Sequence, residues 1–388
     1  MEALQEELLQ SFRNRFQRAP EVLSAAPGRL EILGNHTDYN EGFVLSAATG
    51  QKTCFAAAKA PGRICRVLDC VLKEEKEIDP DDPSGPVKGD WANYLKGAVA
   101  ELSKRGAKVG AFDMTLASSV PLSAGMSSSA ALEMAFCYAL KELYNLSFTP
   151  GEWARIGQGV ENNFMGLKTG LLDQFSSLYG KKDSLILCDF RSVEVLETVP
   201  MVPGYRIVVV NTLVKHNLVE SDYNQRRKSC ENACNTIRSF RPEVKALRDV
   251  SSSMLEKYKS ALPVTDYRRA LHVVGENERV KQGVDLLKKG DMEGFGKLLF
   301  ESHESSRNHF ENSCPELDAL VEIAKTLPGC VGARLSGGGF GGITIHLVKE
   351  EKVEEYCKRI GTAYRMMTGK ECKSVICSIG DGAESKRI

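Results

Sequence analysis

Residues 121–132 of this 388-residue chain, P-L-S-A-G-M-S-S-S-A-A-L, combine small residues with three consecutive serines. An alternating apolar run precedes them, and apolar residues at helical spacing follow. Small residues let a phosphate approach the backbone closely, and a helix N-terminus offers free N–H donors with a partial positive charge. The segment therefore predicts a cradle for the phosphates of a nucleotide. The alternative interpretation is an ordinary serine-capped helix.

A second segment, P-G-R-L-E-I-L-G-N-H-T-D-Y-N-E-G over 27–42, concentrates polar side chains on or just after a predicted strand. Its donors and acceptors are Arg29, Glu31, Asn35, His36, Asp38 and Tyr39. Such a set suits a polyol, because each hydroxyl needs a partner and leaving one unpaired is costly. The alternative is a solvated polar loop.

A third segment, G-V-E-N-N-F-M-G-L-K-T-G-L-L-D-Q over 159–174, carries two carboxylates. Glu161 lies on a predicted helix, and Asp173 follows a glycine-containing turn. One carboxylate near a nucleotide can bind Mg²⁺, and another can accept the proton of a hydroxyl. If Arg29 lies near Asp173, it would keep that carboxylate ionised and stabilise developing charge. These parts suffice for phosphoryl transfer, unless Glu161 faces solvent and Asp173 only caps the next helix.

The glycine-rich run R-L-S-G-G-G-F-G-G over 334–342 contains G-x-G-x-x-G, the dinucleotide-binding fingerprint. An alternating, β-branched stretch follows it, where the fingerprint requires a helix. We therefore predict a glycine loop between two strands, close to a ligand or another backbone. The best approach to a phosphate-binding Walker A motif, at 290–297, has the wrong glycine spacing and Leu298 in place of Ser or Thr.

The elements that must position these segments are predicted from apolar periodicity. Helices are expected over 2–18, 91–104, from 130 onwards, 151–165, 219–240, 264–288, 291–308, 315–326 and 351–367. Strands are expected over 29–34, 43–48, 53–59, 111–118, 184–188, 205–211, around 332–348 and over 372–378. The order indicates an α+β chain whose character changes near residue 200, with domains 1–200 and 201–388.

Composition excludes several classes of protein. Lys and Arg total 51 and Asp and Glu total 51, a balance unlike that of a dedicated nucleic-acid binder. No run of about 18 apolar residues predicts a membrane span, and the acidic N-terminus is unlike a secretory signal. Twelve cysteines form no C-x-x-C and no zinc spacing. We expect reduced thiols, a cytoplasmic location, and neither nucleic-acid nor membrane partners.

In this order the segments resemble the GHMP kinases, and among them the galactokinases over nearly the whole chain. The matching motifs are G-R-x-x-x-x-G-x-H-T-D-Y-N from 28, W-A-N-Y-x-K-G at 91–97, V-P-L-x-A-G-x-S-S-S-A-A-L-E at 120–133, G-x-x-D-Q at 170–174, Tyr223 with Arg226 and Arg227, H-V-V-G-E-N-E-R-V at 272–280, S-C-P-E-L-D at 313–318 and G-A-R-x-x-G-G-G-F-G-G at 332–342. Eight segments in order make a chance resemblance implausible.

The resemblance implies the two-lobed GHMP kinase fold, with an S5-like N-terminal lobe, a ferredoxin-like C-terminal lobe and the active site between them. It implies ATP and Mg²⁺ as cofactors and a monomer that phosphorylates the C1 hydroxyl of galactose. Asp173 would be the catalytic base and Arg29 its electrostatic partner, while Ser129 and Glu161 would ligate Mg²⁺. The sugar would contact Arg29, Asn35, His36, Asp38, Gly170, Asp173 and Tyr223. The nucleotide would contact Trp91, Ser123, Ala124, Gly125, Met126, Ser127, Ser128 and Ser129, although Trp91 could equally be a core residue.

Two departures from the family pattern bear on the substrate. Galactokinases usually read G-R-V-N-L-I-G-E-H, so Glu31 and Asn35 exchange the two usual residue types. Either the pair has swapped roles around the same hexose, or the site takes another sugar, such as galacturonate. Ser123 also replaces a usual glycine, which we expect to do little harm. A catalytically silent sugar sensor is the third hypothesis, which the uninterrupted serine loop disfavours.

Overall fold

Two β-sheets and eleven α-helices make up the described part of the protein, a computed structural model covering residues 2–121, 125–215 and 219–388. The strands are β1 (Val22–Leu33), β2 (Phe43–Lys59), β3 (Cys65–Asp69), β4 (Glu74–Ile78), β5 (Phe112–Ser118), β6 (Ser184–Asp189), β7 (Glu194–Pro200), β8 (Tyr205–Lys215), β9 (Cys330–Ser336), β10 (Gly341–Lys349), β11 (Lys373–Cys377) and β12 (Glu384–Arg387). The helices are α1 (Glu2–Phe16), α2 (Ala92–Lys104), α3 (Ser128–Tyr144), α4 (Pro150–Gly159), α5 (Leu172–Tyr179), α6 (Val219–Phe240), α7 (Ser252–Lys257), α8 (Val264–Lys289), α9 (Met292–Ser305), α10 (Pro315–Thr326) and α11 (Val353–Thr368). The α+β class predicted from the sequence is confirmed.

The larger sheet has eight strands in the order β12-β1-β2-β5-β3-β4, and β6 and β7 extend it from β2. The two strands predicted over 43–48 and 53–59 are one continuous strand, β2. The ladder with β1 shifts register between the two runs, from Ala48 opposite Arg29 to Lys52 opposite Pro27, and Thr49 and Gly50 pair there with Ile379 and Ser378. That pairing satisfies the backbone groups and makes a break unnecessary.

The smaller sheet is antiparallel, in the order β11-β8-β10-β9. Helices α10 and α11 bury apolar residues against one of its faces. The predicted glycine loop joins β9 to β10, and a strand does follow it, as expected. The dinucleotide fingerprint is therefore correctly rejected.

A shared apolar core joins the two lobes. Residues of β1 and β2 pack there with residues of β8, β10, α8 and α9. On the larger sheet, α3 packs against β1 and β2 within the main core, and α1 covers the opposite face. Four parts of the chain therefore meet at the junction of the lobes. They are the end of β1, the starts of α3 and α5, and the β9–β10 loop.

Two further observations concern the thiols and the lengths of the helices. All twelve cysteines are free thiols. Among the described residues, no helix combines the length and apolarity needed to cross a membrane.

Candidate active site

The serine loop lies directly against β1. Met126 accepts a hydrogen bond from the Arg29 backbone N–H through its carbonyl, at 3.0 Å. A Cβ added at Gly28 would lie 2.3 Å from that same carbonyl oxygen, so only glycine permits the approach. Ser127 precedes α3 with a φ of 54° in the left-handed region, a conformation that is uncommon for residues other than glycine.

Arg29 and Asp173 form an ion pair at the centre of the site. The Arg29 Nε donates to Asp173 Oδ1 at 2.8 Å, and another guanidinium N–H donates to the Gly125 carbonyl at 2.7 Å. The Ser127 hydroxyl donates to Asp173 Oδ2. Arg29 is buried, whereas the Asp173 side chain is 31% exposed. The structure therefore brings two predicted residues into contact and leaves the carboxylate open to a ligand.

Two cavities meet at this ion pair. One, of about 120 Å³, is lined by residues of the polar segment 27–42 and by residues around Gly170. The other, of about 490 Å³, is lined by the serine loop and the β9–β10 loop. Arg29, Asp173, Gly337 and Gly338 line both cavities. A group bound in one cavity can thus reach a group bound in the other beside Asp173.

The residues predicted to bind the sugar line the smaller cavity. Its lining includes Arg29, Glu31, Asn35, His36, Asp38, Gly170, Asp173 and Tyr223. A Cβ on Gly170 would lie 1.5 Å from Asp38 Oδ2, so the Asp38 carboxylate occupies the space that any side chain at 170 would need. Burial raises the pKa of the Asp38 carboxyl to about 6.

His36 is fixed by the protein on both sides of its ring. Nδ1 pairs with the Tyr39 hydroxyl at 2.9 Å and Nε2 with the Gly338 carbonyl at 3.3 Å. Its ring packs 4.4 Å from the ring of Phe310 and 5.1 Å from that of Tyr223. Burial lowers the pKa of His36 to about 3. His36 is therefore a neutral residue of the cavity lining, and both of its ring nitrogens already have hydrogen-bond partners in the protein.

Glu161, on the turn Val160–Phe164 that continues α4, supplies oxygen atoms next to the larger cavity. Its Oε1 lies 3.5 Å from the Ser129 hydroxyl, and its Oε2 accepts from Thr169 at 2.5 Å. Burial, reinforced by Asp173, raises the pKa of the Glu161 carboxyl to about 7. No cluster of three or more His, Cys, Asp or Glu is arranged for a metal within the described residues. One carboxylate and one hydroxyl still fit Mg²⁺, which usually keeps several waters and takes its other ligands from substrate phosphates.

The described residues predicted to contact the nucleotide do not all line the same cavity. Ser127, Ser128, Ser129 and Gly125 line the larger cavity. Trp91 lines a separate, mainly apolar pocket of about 160 Å³, which Ser128 also borders.

The Met126 side chain is buried in the core that joins the lobes, so only its backbone can face a ligand. Ser123 and Ala124 lie outside the described residues.

The residues of α8 that hold the loop after β1 were not predicted from the sequence. Glu276 Oε2 accepts hydrogen bonds from the backbone N–H groups of Gly34 and Asn35, both at 2.9 Å. His272 Nε2 pairs with the Asn35 carbonyl at 3.1 Å. The signal was present in H-V-V-G-E-N-E-R-V, where His272 and Glu276 are four residues apart and so share a helix face.

Family models match three parts of the chain. The model of the GHMP kinases N terminal domain matches 93–181, that of the galactokinase galactose-binding signature matches 10–59, and that of the GHMP kinases C terminal domain matches 284–365. The galactokinase of Roseiflexus sp. (strain RS-1) is 39% identical over 376 residues, which are 97% of this chain and 96% of that protein. The galactokinase of Glaesserella parasuis serovar 5 (strain SH0165) is 40% identical, covering 96% of both chains.

Solved structures agree with these relationships. The crystal structure of Lactococcus lactis galactokinase complexed with galactose superposes with a TM-score of 0.92 and 31% identity, covering 97% of this chain and 98% of that one. Methanococcus jannaschii mevalonate kinase gives a TM-score of 0.66 at 18% identity, covering 94% and 100% of the two chains, which is a likeness of fold alone.

Proposed function

This chain belongs to the galactokinases of the GHMP kinase family, and on that basis we propose that it phosphorylates the C1 hydroxyl of galactose with ATP. The products are galactose 1-phosphate and ADP. The observation that carries the proposal is the position of the Arg29–Asp173 pair. It lies where the smaller cavity, which we call the polyol cavity, meets the larger cavity beside the serine loop. A sugar hydroxyl and a terminal phosphate can meet there.

Asp173 acts as the base. The C1 oxygen bonds to the γ-phosphorus of ATP, the bond from that phosphorus to the bridging β–γ oxygen breaks, and the C1 hydroxyl proton passes to Asp173. Arg29, bonded to Asp173 Oδ1 at 2.8 Å, orients the carboxylate and stabilises charge that develops during transfer. Phosphoryl transfer depends mainly on positioning and electrostatics, and this ion pair supplies both at the point where the two cavities meet.

The serine loop and α3 hold the nucleotide in this proposal. The backbone of 125–129 surrounds the phosphates, with the N-terminus of α3 directed at them. The pocket beside Trp91 suits an adenine ring, since it is mostly apolar and adjoins Ser128. Ser129 and Glu161 hold Mg²⁺, which neutralises phosphate charge when bound.

The proposal also covers the ligands, the number of chains, the location and the domain boundary. Galactose and ATP are the small molecules bound, and one chain suffices, because described residues of this chain line both cavities. Twelve free thiols favour a reducing compartment, so we place the enzyme in the cytoplasm. The division at about residue 200 also stays a prediction, although β12 returns from the C-terminus to pair with β1.

A sugar panel tests the proposal. ADP release is measured with ATP and Mg²⁺ against galactose, galacturonate, N-acetylgalactosamine, glucose and arabinose. Asp173→Asn serves as the inactive variant, and Asp285→Asn, on an exposed position of α8, serves as the matched control. We expect turnover of galactose that Asp173→Asn loses and Asp285→Asn keeps. Silence on every sugar would favour the sensor hypothesis, and turnover of galacturonate alone would redirect the substrate.

A further inference from the structure

Glu31 presents an unused carboxylate oxygen to the polyol cavity. The residue is only 4% exposed and lines that cavity. Its Oε1 accepts hydrogen bonds from Asn35 Nδ2 at 2.7 Å and from the Arg334 guanidinium at 3.0 Å. Its Oε2 receives no hydrogen bond from any residue that the structure describes, and it is not sealed inside the protein. A carboxylate oxygen so placed is available to a ligand.

Asn35, by contrast, bonds to the protein through both its amide hydrogens and its amide oxygen. Its two amide hydrogens go to Glu31 Oε1 and to the Gly337 carbonyl, at 2.7 and 2.8 Å. Its Oδ1 accepts from Asn312 Nδ2 at 3.0 Å and from the Ser306 hydroxyl at 3.5 Å. A primary amide has two donors and one oxygen with two lone pairs. Asn35 directs both donors and its oxygen at the protein, so its role is to hold Glu31 and the β9–β10 loop in place.

Arg334 fixes the position of Glu31 from the other lobe. This fully buried arginine donates to the Glu31 carboxylate and also to the backbone carbonyls of Glu31 and Ile32, at 3.1 and 3.0 Å. Ser336 pairs with the Glu31 backbone N–H at 3.1 Å. The free Oε2 is therefore held still before a sugar binds, which lowers the entropic cost of using it.

We propose that Glu31, and not Asn35, is the specificity-determining residue that accepts a hydrogen bond from one hydroxyl of the sugar. This assignment rests on the proposed function, because it takes galactose as the ligand of the cavity. It makes the exchange of residue types at 31 and 35 a swap of roles around the same hexose.

The acidic residues that line the polyol cavity favour a neutral sugar over a negatively charged one. Glu31, Asp38 and Asp173 all line the cavity. Of the described lining residues, Arg29 is the one with a permanent positive charge, and Asp173 already pairs with it. The carboxylate of a uronate would meet these acids without a free cation, so we expect kcat/KM for galacturonate to be lower than for galactose by on the order of 100-fold or more.

The test couples variants of Glu31 to galactoses that each lack one hydroxyl, at C2, C3, C4 or C6. Glu31→Gln should lower kcat/KM for galactose by about 10- to 100-fold, the usual effect of losing a hydrogen bond to a charged group. That loss should largely disappear with one particular deoxygalactose and persist with the other three, because only one hydroxyl meets Glu31. The matched control is Glu101→Gln, which alters an equally buried, arginine-paired carboxylate outside both cavities.

Glu31→Asp guards against a folding defect, since it keeps a charge opposite the buried Arg334. Circular dichroism reports the fold of each variant, and Glu31→Asp should show the same coupling to the same hydroxyl. Equal losses on all four deoxygalactoses, losses no greater than in Glu101→Gln, or a preference of the natural enzyme for galacturonate would overturn the assignment. If the natural enzyme does not phosphorylate galactose at all, the proposed function fails and the assignment fails with it.

Discussion

A methyl group at position 170 should abolish sugar recognition while leaving the fold intact. The Cβ of Gly170→Ala would lie 1.5 Å from Asp38 Oδ2, whereas ordinary contact begins at 3.4 Å. The Asp38 carboxylate must therefore retreat by about 2 Å, and a displacement of even about 1 Å in a positioning group can cost roughly 100-fold. Because the three nearest atoms all belong to the Asp38 side chain and none to the backbone, the backbone can stay in place.

We expect kcat/KM for galactose to fall by on the order of 100-fold or more, and the free energy of unfolding to change by less than about 1 kcal/mol. ADP release with varied galactose measures the first quantity, and urea unfolding measures the second. Gly361→Ala, a glycine-to-alanine change in α11 whose Cβ meets nothing within 4 Å, is the control.

A double variant shows whether the loss passes through Asp38. If Gly170→Ala acts by displacing that carboxylate, adding it to Asp38→Ala should cost little beyond Asp38→Ala alone, since residues that share one role are not additive. Near-normal kcat/KM in a folded Gly170→Ala enzyme, or fully additive losses in the double variant, would refute the reasoning.

Three further outcomes follow from the structure. Burial raises the pKa of Asp38 to about 6, and we propose that its ionised form accepts hydrogen bonds from the sugar. The value of kcat/KM should therefore fall about tenfold per pH unit below that pH, and Asp38→Asn should remove this inflection. His36, with its pKa lowered to about 3, should add no inflection between pH 5 and 8. Gly361→Ala should raise the free energy of unfolding by about 0.5–1 kcal/mol with unchanged kinetics, and a loss of stability in urea would contradict this. Glu161→Gln should raise the Mg²⁺ concentration for half-maximal rate by on the order of tenfold while the KM for galactose changes little; an unchanged Mg²⁺ requirement would remove Glu161 from the metal site.

Local patterns predicted most of the elements that carry the site. The helix that follows the serine loop was evident from its spacing, and it begins at Ser128, two residues earlier than expected. The β9–β10 loop was recognisable because a β-branched stretch follows the glycines. Both signals lie within a dozen residues of sequence, so no distant contact was needed to find them.

Two strands without an apolar period of their own were missed. The strand β4 reads E-E-K-E-I, a charged sequence typical of a sheet edge and uninformative as a strand signal. The last strand, β12, forms only by pairing with β1, more than three hundred residues away in sequence. Neither has an apolar period of its own, so only the assembled sheet defines them.

The candidate site shows the same limit. Motif positions placed Glu31 and Asn35 in one segment, but their partners Arg334 and Asn312 come from the other lobe. Without those partners the sequence left two hypotheses open for the exchanged pair. The hydrogen bonds decide which side chain is bonded to the protein at each polar atom and which has a free oxygen.

We propose that Asp173 takes the proton of the galactose C1 hydroxyl as phosphate is transferred. The most direct measurement is ³¹P and ¹³C NMR of the product formed from galactose, ATP and Mg²⁺ by the natural enzyme and by Asp173→Asn, a nearly isosteric change that removes the base. We predict galactose 1-phosphate from the natural enzyme and none above background from the variant. A phosphate on another carbon, or the 1-phosphate formed at a comparable rate by Asp173→Asn, would contradict the account.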